Sequence, residues 1–566
     1  MKAAWTAAAL LFGATATAAP ASCNASCHCL PGDACWPSAA KWDALNRTVG
    51  GRLIATVPIG SVCHEPTYDA AACAQLQEDW NLPQTHYDSS SSIMQQFFAN
   101  RSCDPFTSES GSCELGNYVS YAVNVSSSGD VVAAVNFARE NNIRFVIKNT
   151  GHDYLGRSTG AGALSVWTHY LNDIEYLDWS DSTYSGPAYK LGSGVMGYQV
   201  LEATHTSGHV LVGGECPTVG LAGGYTQGGG HSALSTNFGL GADQTLAFEV
   251  VTADGQVVTA SRTKNTDLYW ALSGGGAGNW GVVLSVTVKA HKSETVSGAY
   301  LAFTTSNLSE DVYTQALTEF HQLLPAMVDA GTTVIYQILP GYFLIKPLTA
   351  YNKTAAEVET ILSPFLSALD GLSIQYSVSY TEYDTYYDHY EKYMGPLPNG
   401  NLEVGTFTYG GRLLPRSVVE SDAASLAQVL YKFTSQNVVA VGVGLNVSKT
   451  NDVDNAIFAS WRNALVTMQF GVTLGNEESW SQILADQQTV TNELGPQLEA
   501  LTPGSGTYEN ESNFLQPNWK EVFFGETYDK LEKIKKKWDP KNFFYSFKGV
   551  GSDYWTVSES GRMCKA

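Results

Sequence analysis

Apolar and polar positions along the chain fall into two textures. Val131 to Asn141 (VVAAVNFAREN) repeats apolar residues at helical spacing, and Ile143 to Lys148 (IRFVIK) is a short apolar run of strand length. A glycine-bearing loop, Asn149 to Gly162 (NTGHDYLGRSTGAG), leads to a second strand at Ala163 to Trp167. Val212 to Gly241 holds too much glycine for a regular helix or strand and reads as loops and turns. Thr245 to Thr252 and Gln256 to Thr259 read as strands joined by Ala253-Asp254-Gly255, a hairpin signal, and Val282 to Ala290 as another strand. From about residue 296 glycine thins. Strands are expected at Val296 to Thr304, Thr333 to Leu339, Leu372 to Val378, Val438 to Val447 and Thr467 to Leu474. Helices are expected at Asp311 to Leu323, Thr354 to Ala368 and Ser417 to Gln436. This is an α+β pattern with an antiparallel sheet in its second half.

Length and composition refine that picture. A chain of 566 residues predicts two intimately packed domains. Hydrophobic residues at 44% and charged residues at 15% indicate globular structure. The net charge of -22 repels phosphate backbones and argues against a nucleic-acid partner. The one sizeable basic run, Lys530 to Lys537, reads as a solvated helix face. Residues 1–19 have the form of a signal peptide: Lys2, an apolar run from Ala7 to Ala18, then small residues for cleavage. The run is too short to span a bilayer, no membrane segment is expected elsewhere, and secretion is the reading.

Two features agree with export. Asn-x-Ser/Thr sites stand at Asn24, Asn46, Asn100, Asn124, Asn307, Asn352, Asn446 and Asn510. Cys23, Cys27, Cys29, Cys35, Cys63, Cys73, Cys103 and Cys113 suggest a disulfide-stapled N-terminal region, and zinc is the weaker alternative because paired C-x-x-C units are missing. Cys216 and Cys564 stand apart; if Cys216 has another task, Cys564 is expected to be the unpaired remainder. Nothing in the chain specifies an oligomeric state.

Candidate chemistry concentrates in two glycine-rich blocks. The loop Asn149, Thr150, Gly151, His152, Asp153 through Gly156, Arg157 and Ser158 presents backbone N–H groups of the kind that cradle a pyrophosphate. Asn149 to Ser158 and Gly214 to Gly230 (GECPTVGLAGGYTQGGG) together resemble the berberine-bridge-enzyme-like branch of the vanillyl-alcohol-oxidase superfamily. Tyr508-Glu509-Asn510-Glu511, Phe523-Phe524-Gly525 and Lys533 to Phe544 agree with it. The likeness covers about 115–290 and 505–547, and the stretch between is much less similar.

The resemblance implies a two-part FAD-binding domain and an α+β substrate domain. The expected divisions are a leader at 1–19, a cysteine-rich part at 20–113, the FAD-binding core at 114–295, the substrate domain at 296–500 and a returning segment at 501–566. It implies that His152 bonds covalently to the flavin 8α-methyl carbon, with Thr150 standing where the family often has glycine. It also implies that Cys216 bonds to flavin C6; a distant disulfide is the alternative. An N–H-rich loop would lower the thiol pKa and favour that bond. Thr218, Val219, Gly220, Gly223, Gly224 and Gly228 would pack against the ring, and a valine at 219 favours access of O2. Gly278, Asn279, Gly281 and Val282 are expected near the adenine end, with a plain turn as the alternative. Tyr508 and Asn510 would return to the flavin, leaving Asn510 unglycosylated.

The function implied is a secreted FAD-dependent oxidase acting on an alcohol or a saccharide hemiacetal and giving H2O2. A flavin dehydrogenase with another acceptor, and a non-catalytic flavin-containing binding protein, are the alternatives. Tyr409, Arg412, Gln469, His231 and Tyr154 are the candidates for the substrate-side chemistry.

Overall fold

The computed structural model describes residues 26–450 and 453–566. The expected leader, the sequon at Asn24 and Cys23 lie outside the described residues.

Two sheets form the first half. Strands β1 (Leu53–Ala55), β2 (Tyr121–Asn124), β3 (Phe145–Lys148) and β4 (Leu164–Trp167) lie in the order β1-β2-β4-β3. β2, β4 and β3 run parallel. The parallel step from β2 to β3 crosses over through α1 (Ser128–Glu140), whose Val131, Ala134, Val135 and Ala138 are buried. Ser127 caps this helix by accepting from Asp130 N–H. The second sheet joins β5 (Ile174–Ser180), β6 (Ser185–Gly192), β7 (Thr245–Val251), β8 (Val257–Ser261) and β9 (Val282–Lys289) in the antiparallel order β5-β6-β9-β7-β8. The β7–β8 hairpin turns at Gly255, whose φ of +82° suits glycine.

A seven-stranded antiparallel sheet begins at Val296. Its strands are β10 (Val296–Thr304), β11 (Thr332–Leu339), β12 (Tyr342–Tyr351), β13 (Ser377–Tyr383), β14 (Gly410–Pro415), β15 (Val438–Gly444) and β16 (Ala464–Val472). Their order is β13-β10-β12-β11-β15-β16-β14. Helices α2 (Glu310–Asp329), α3 (Ala355–Gly371) and α4 (Ala423–Ser435) cover one face. Phe320, Phe343, Phe365 and Phe433 are fully buried in the core between them. The other face roofs a cavity.

Several expectations shift. The strand expected at Leu372 to Val378 starts only at Ser377, because Ser373 turns with φ +58° and Ile374 packs into the helix-side core. The helix expected at Ser417 to Gln436 is broken at Asp422 into Arg416–Ser421 and α4. Helical turns form at Leu221–Tyr225 and Ser235–Phe238 inside the glycine-rich block expected to be loop. β12 and β14 were not foreseen; Pro347 inside β12 masks its strand pattern.

Cys564 is not the unpaired cysteine: it is bonded to Cys27, tying the C-terminal segment to the start of the described chain. Cys29–Cys35, Cys63–Cys73 and Cys103–Cys113 close short loops nearby. The basic run lies on α5 (Tyr528–Trp538), and Lys535 is not solvated. Its Nζ donates to Asp539 Oδ2 at 2.7 Å and to the carbonyls of Asn279 and Phe544. Among the described residues no helix is long and apolar enough to cross a membrane.

Candidate active site

A cavity of about 650 Å³ runs between the two halves of the molecule. Its floor is built from loops. β3 ends at Lys148, and the chain turns through Gly151 (φ +87°), a conformation that favours glycine. Asp153 holds the loop by accepting from the N–H groups of Arg157 at 2.6 Å and Ser158 at 3.1 Å. Arg157 in turn binds Glu509 of the returning segment at 3.2 Å and the Phe547 carbonyl at 2.9 Å.

The second glycine-rich block faces this loop. Cys216 Sγ stands 4.0 Å from His152 Nε2, and Thr218 Oγ1 contacts both, at 2.7 Å from the imidazole and 3.4 Å from the sulfur. Burial, reinforced by the charge of Lys148, lowers the His152 pKa to about 3, so its imidazole is neutral. Burial raises the Cys216 thiol pKa, bonds from Thr218 oppose this, and Glu215 adds to the rise. The expected lowering by an N–H-rich loop is therefore corrected: desolvation and a neighbouring carboxylate outweigh it. Cys216 is the free cysteine among the described residues.

The roof is the open face of the seven-stranded sheet. Residues of four adjacent strands line it: Lys346 from β12, Ile335, Gln337 and Leu339 from β11, Val439, Val441 and Val443 from β15, and Gln469 from β16. Tyr409, just before β14, stacks on Tyr154 with ring centroids 3.8 Å apart and 9° between planes. Gln95 Nε2 donates to the Tyr409 hydroxyl at 3.2 Å. Burial raises both phenol pKa values, that of Tyr409 to about 12.

Between floor and roof, His231 bridges two carboxylates. Its Nε2 lies 2.8 Å from Glu511 and its Nδ1 3.2 Å from Glu215. Burial alone would lower its pKa, but Glu511 and Glu215 outweigh that and hold it well above 6.5. His231 is a cation between two anions.

The comparisons with known proteins decide what this architecture is. The model described as FAD binding domain matches residues 119–261, and the one described as berberine and berberine like matches 507–551. FAD-linked oxidoreductase ZEB1 of Gibberella zeae is 52% identical over 544 residues, 96% of each chain. The chain is a berberine-bridge-enzyme-like FAD-linked oxidoreductase of the vanillyl-alcohol-oxidase type. The crystal structure of the VAO-type flavoprotein MtVAO615 from Myceliophthora thermophila C1 superposes with a TM-score of 0.92 at 41% identity, covering 96% of this chain and 100% of that one. Glucooligosaccharide oxidase from Acremonium strictum, which carries a 6-S-cysteinyl, 8α-N1-histidyl FAD, shares the fold, with a TM-score of 0.60 at 19% identity over 77% of this chain and 92% of that one.

The cavity fits the flavin dinucleotide that such oxidoreductases bind. A Cβ added at Gly224 would meet nothing within 4 Å, and one at Gly223 only Asn149 Nδ2 at 3.8 Å, so a flat ring can approach that backbone. Asn149 Oδ1, Ser193 Oγ, Gln227 Oε1 and Ser546 Oγ belong to cavity-lining residues and are buried without protein partners, as ligand-binding groups are.

Of the residues read from the sequence, Asn149, Thr150, Gly151, His152, Asp153, Tyr154, Arg157, Ser158, Cys216, Val219, Gly220, Gly223 and Gly224 line the cavity. So do His231, Gly278, Gly281, Tyr409, Gln469, Tyr508 and Asn510. Thr218 is buried behind His152, Gly156 forms a turn at φ +71°, and Gly228 is pressed against the Asn510 amide. Asn510 Nδ2 donates to the Gly224 carbonyl at 2.8 Å and the Tyr508 hydroxyl at 2.7 Å, occupying the atom a glycan would need.

Like Gly156, Thr218 and Gly228, three further residues are not on the cavity wall. Val282 is fully buried in the core with Val251 and Phe544. Asn279 is fully buried beside Gly549, with both side-chain amide atoms unpartnered. Arg412 pairs with Met468 in register, and strand alternation turns it to the helix-covered face, where it binds Thr502 at 2.7 and 2.6 Å. Gln469, one residue on, faces the cavity. Glu215 and Glu511 were not singled out, although each flanks a motif residue, Cys216 and Asn510.

Proposed function

We propose that this oxidoreductase carries its FAD covalently on both His152 and Cys216 and oxidises an alcohol, with O2 as electron acceptor and H2O2 as product. The carrying observation is the facing of His152 and Cys216 across 4.0 Å on one cavity wall. Flavin C6 and the 8α-methyl carbon lie on one edge of the ring, so one wall can serve both. Thr218 occupies His152 Nε2, which leaves Nδ1 for the carbon. A neutral imidazole is the nucleophilic form. The bound flavin supplies the two-electron redox chemistry. Val219 lies on the cavity wall, where a small side chain leaves room for O2.

The roof fits an alcohol whose skeleton is largely apolar and carries a few polar groups. Its strands present Ile335, Leu339, Val439, Val441 and Val443, with Gln337, Lys346 and Gln469 as polar points on the same wall. Four disulfides among the described residues support an oxidising, extracellular setting. The test is anaerobic mixing of the yellow protein with cyclohexanol, benzyl alcohol, glucose and cellobiose, followed by air. Bleaching by an alcohol and stoichiometric peroxide on re-aeration support the reading. Bleaching by the sugars alone reverses the substrate preference, and reoxidation only by a quinone makes the protein a dehydrogenase.

A further inference from the structure

Four carboxylate side chains line the cavity: Asp153, Glu215, Glu403 and Glu511. Asp153 turns back on its own loop and accepts from the N–H groups of Leu155, Arg157 and Ser158. Glu215 directs both oxygens to His231 Nδ1, at 3.4 and 3.2 Å. Glu403 is exposed to solvent. Glu511 differs from all three. Its Oε1 lies 2.8 Å from His231 Nε2, while its Oε2 is buried with no protein partner. A buried carboxylate oxygen without a donor is costly, so a site that keeps one has a use for it.

Oxidation of an alcohol needs a group that accepts the hydroxyl proton as the C–H bond breaks. The other candidates on the cavity wall cannot do this. Tyr154 and Tyr409 are protonated phenols held high by burial. His231 is a cation with both ring nitrogens engaged. Gln469 carries no basic group, and Arg412 lies on the far side of the sheet. Glu511 lines the same cavity as Tyr154 and Tyr409, and its backbone carbonyl lies against Gly411 of β14, which places it at the edge of the roof.

We propose that Glu511 is the catalytic base, its Oε2 taking the substrate's hydroxyl proton, and that His231 and Glu215 are positioning residues that fix the carboxylate through Oε1. This rests on the alcohol-oxidase reading above. The O–H bond breaks with its proton going to Oε2, the C–H bond breaks with its electron pair leaving as hydride to the bound flavin, and C=O forms. That proton and hydride, with one O2, make up the H2O2, so alcohol plus O2 balances carbonyl plus peroxide. His231 keeps Oε1 occupied and partly offsets the two anions, leaving Oε2 without a protein partner.

The test compares wild type with Glu511→Gln and Glu511→Asp in anaerobic stopped flow. The probe is whichever of cyclohexanol, benzyl alcohol, glucose or cellobiose reduces the wild-type flavin fastest. Glu511→Gln is expected to slow flavin reduction by about 10²- to 10⁴-fold with flavin content and probe affinity kept, and Glu511→Asp to recover part of the rate. Infrared difference spectra of the wild type on probe addition should show a new carboxylic-acid C=O band that Glu511→Gln lacks. Reduction of Glu511→Gln at the wild-type rate, or an acid band that persists in it, overturns the assignment while leaving the oxidase reading intact. If Glu511→Gln fails to hold flavin, the wild-type spectrum decides, and absence of the acid band overturns the proposal. If no probe reduces the wild-type flavin, the oxidase reading fails and the base assignment falls with it.

Discussion

The floor of the cavity is held by hydrogen bonds and ion pairs, and its roof by apolar packing. The floor loops bury Leu221, Ala222 and Tyr225 in the core beneath them, and Asp153, Arg157, Glu509 and Asn510 fix their course through polar contacts. The roof strands rest on a helix-covered core in which Phe320, Phe343 and Phe433 are fully buried. Polar scaffolding fails when one partner is lost, because the other is left buried and unpaired. A packed sheet tolerates change on its open face, because the fold is secured from the other side. The floor should therefore govern cofactor retention and the roof substrate choice.

The largest effect is expected where the two regions are bolted together. Asp243, on the floor side, is fully buried and binds Arg462 at 2.7 Å, with Thr450 and Asn455 also donating to it. Asp243→Ala strands the Arg462 guanidinium and should cost about 3–5 kcal/mol, read from urea unfolding. A loss below about 1 kcal/mol would mean that this ion pair does not join the regions. Next comes Gly220→Ala on the floor, whose Cβ would sit 2.0 Å from Asn149 Nδ2. It should destabilise by about 1–3 kcal/mol and lower the ratio of flavin to protein, measured by absorbance. On the roof, Val441→Thr should leave that ratio unchanged. It should shift kcat/KM between cyclohexanol and its diol analogues by roughly tenfold, the scale of one polar-for-apolar change in a pocket.

The smallest effect separates the two regions by pH. Against the seven-stranded sheet, burial lowers His321 to about 4 and His389 to about 3. The unfolded chain binds their protons first, so stability falls as pH drops from 6.5 toward those values. His231 has the opposite sign: its raised pKa makes the native state bind the extra proton, so its contribution is lost as pH rises above 6.5. Thermal unfolding across pH should show both limbs. His389→Gln should flatten the acid limb and His231→Gln the alkaline one; the reverse pattern would contradict the assignment.

The same contrast explains what could be read from the chain. Floor residues such as His152, Cys216 and Gly223 sit in loops whose sequence order is nearly their spatial order, and glycine marks where the backbone must stay bare. The returning segment was visible through Tyr508 and Asn510. Roof strands are buried on both faces, so their apolar runs carry no alternation to show which residues face the cavity. Arg412 and Gln469 illustrate this: Gln469 pairs with Gly411, so Arg412 is one residue out of phase and turned away. Glu511 and His231 lie 280 positions apart, and only the fold brings them to 2.8 Å. The Cys27–Cys564 bond is equally nonlocal, spanning 537 positions, which is why Cys564 reads as a loose end in sequence.

The central claim, a flavin fixed to the floor at two points, is tested most directly by mass. Acid-denatured protein should give a yellow pellet, with peptides containing His152 and Cys216 cross-linked through one flavin. Flavin on the His152 peptide alone would break the double attachment, and a colourless pellet with free FAD in the supernatant would contradict covalent binding altogether.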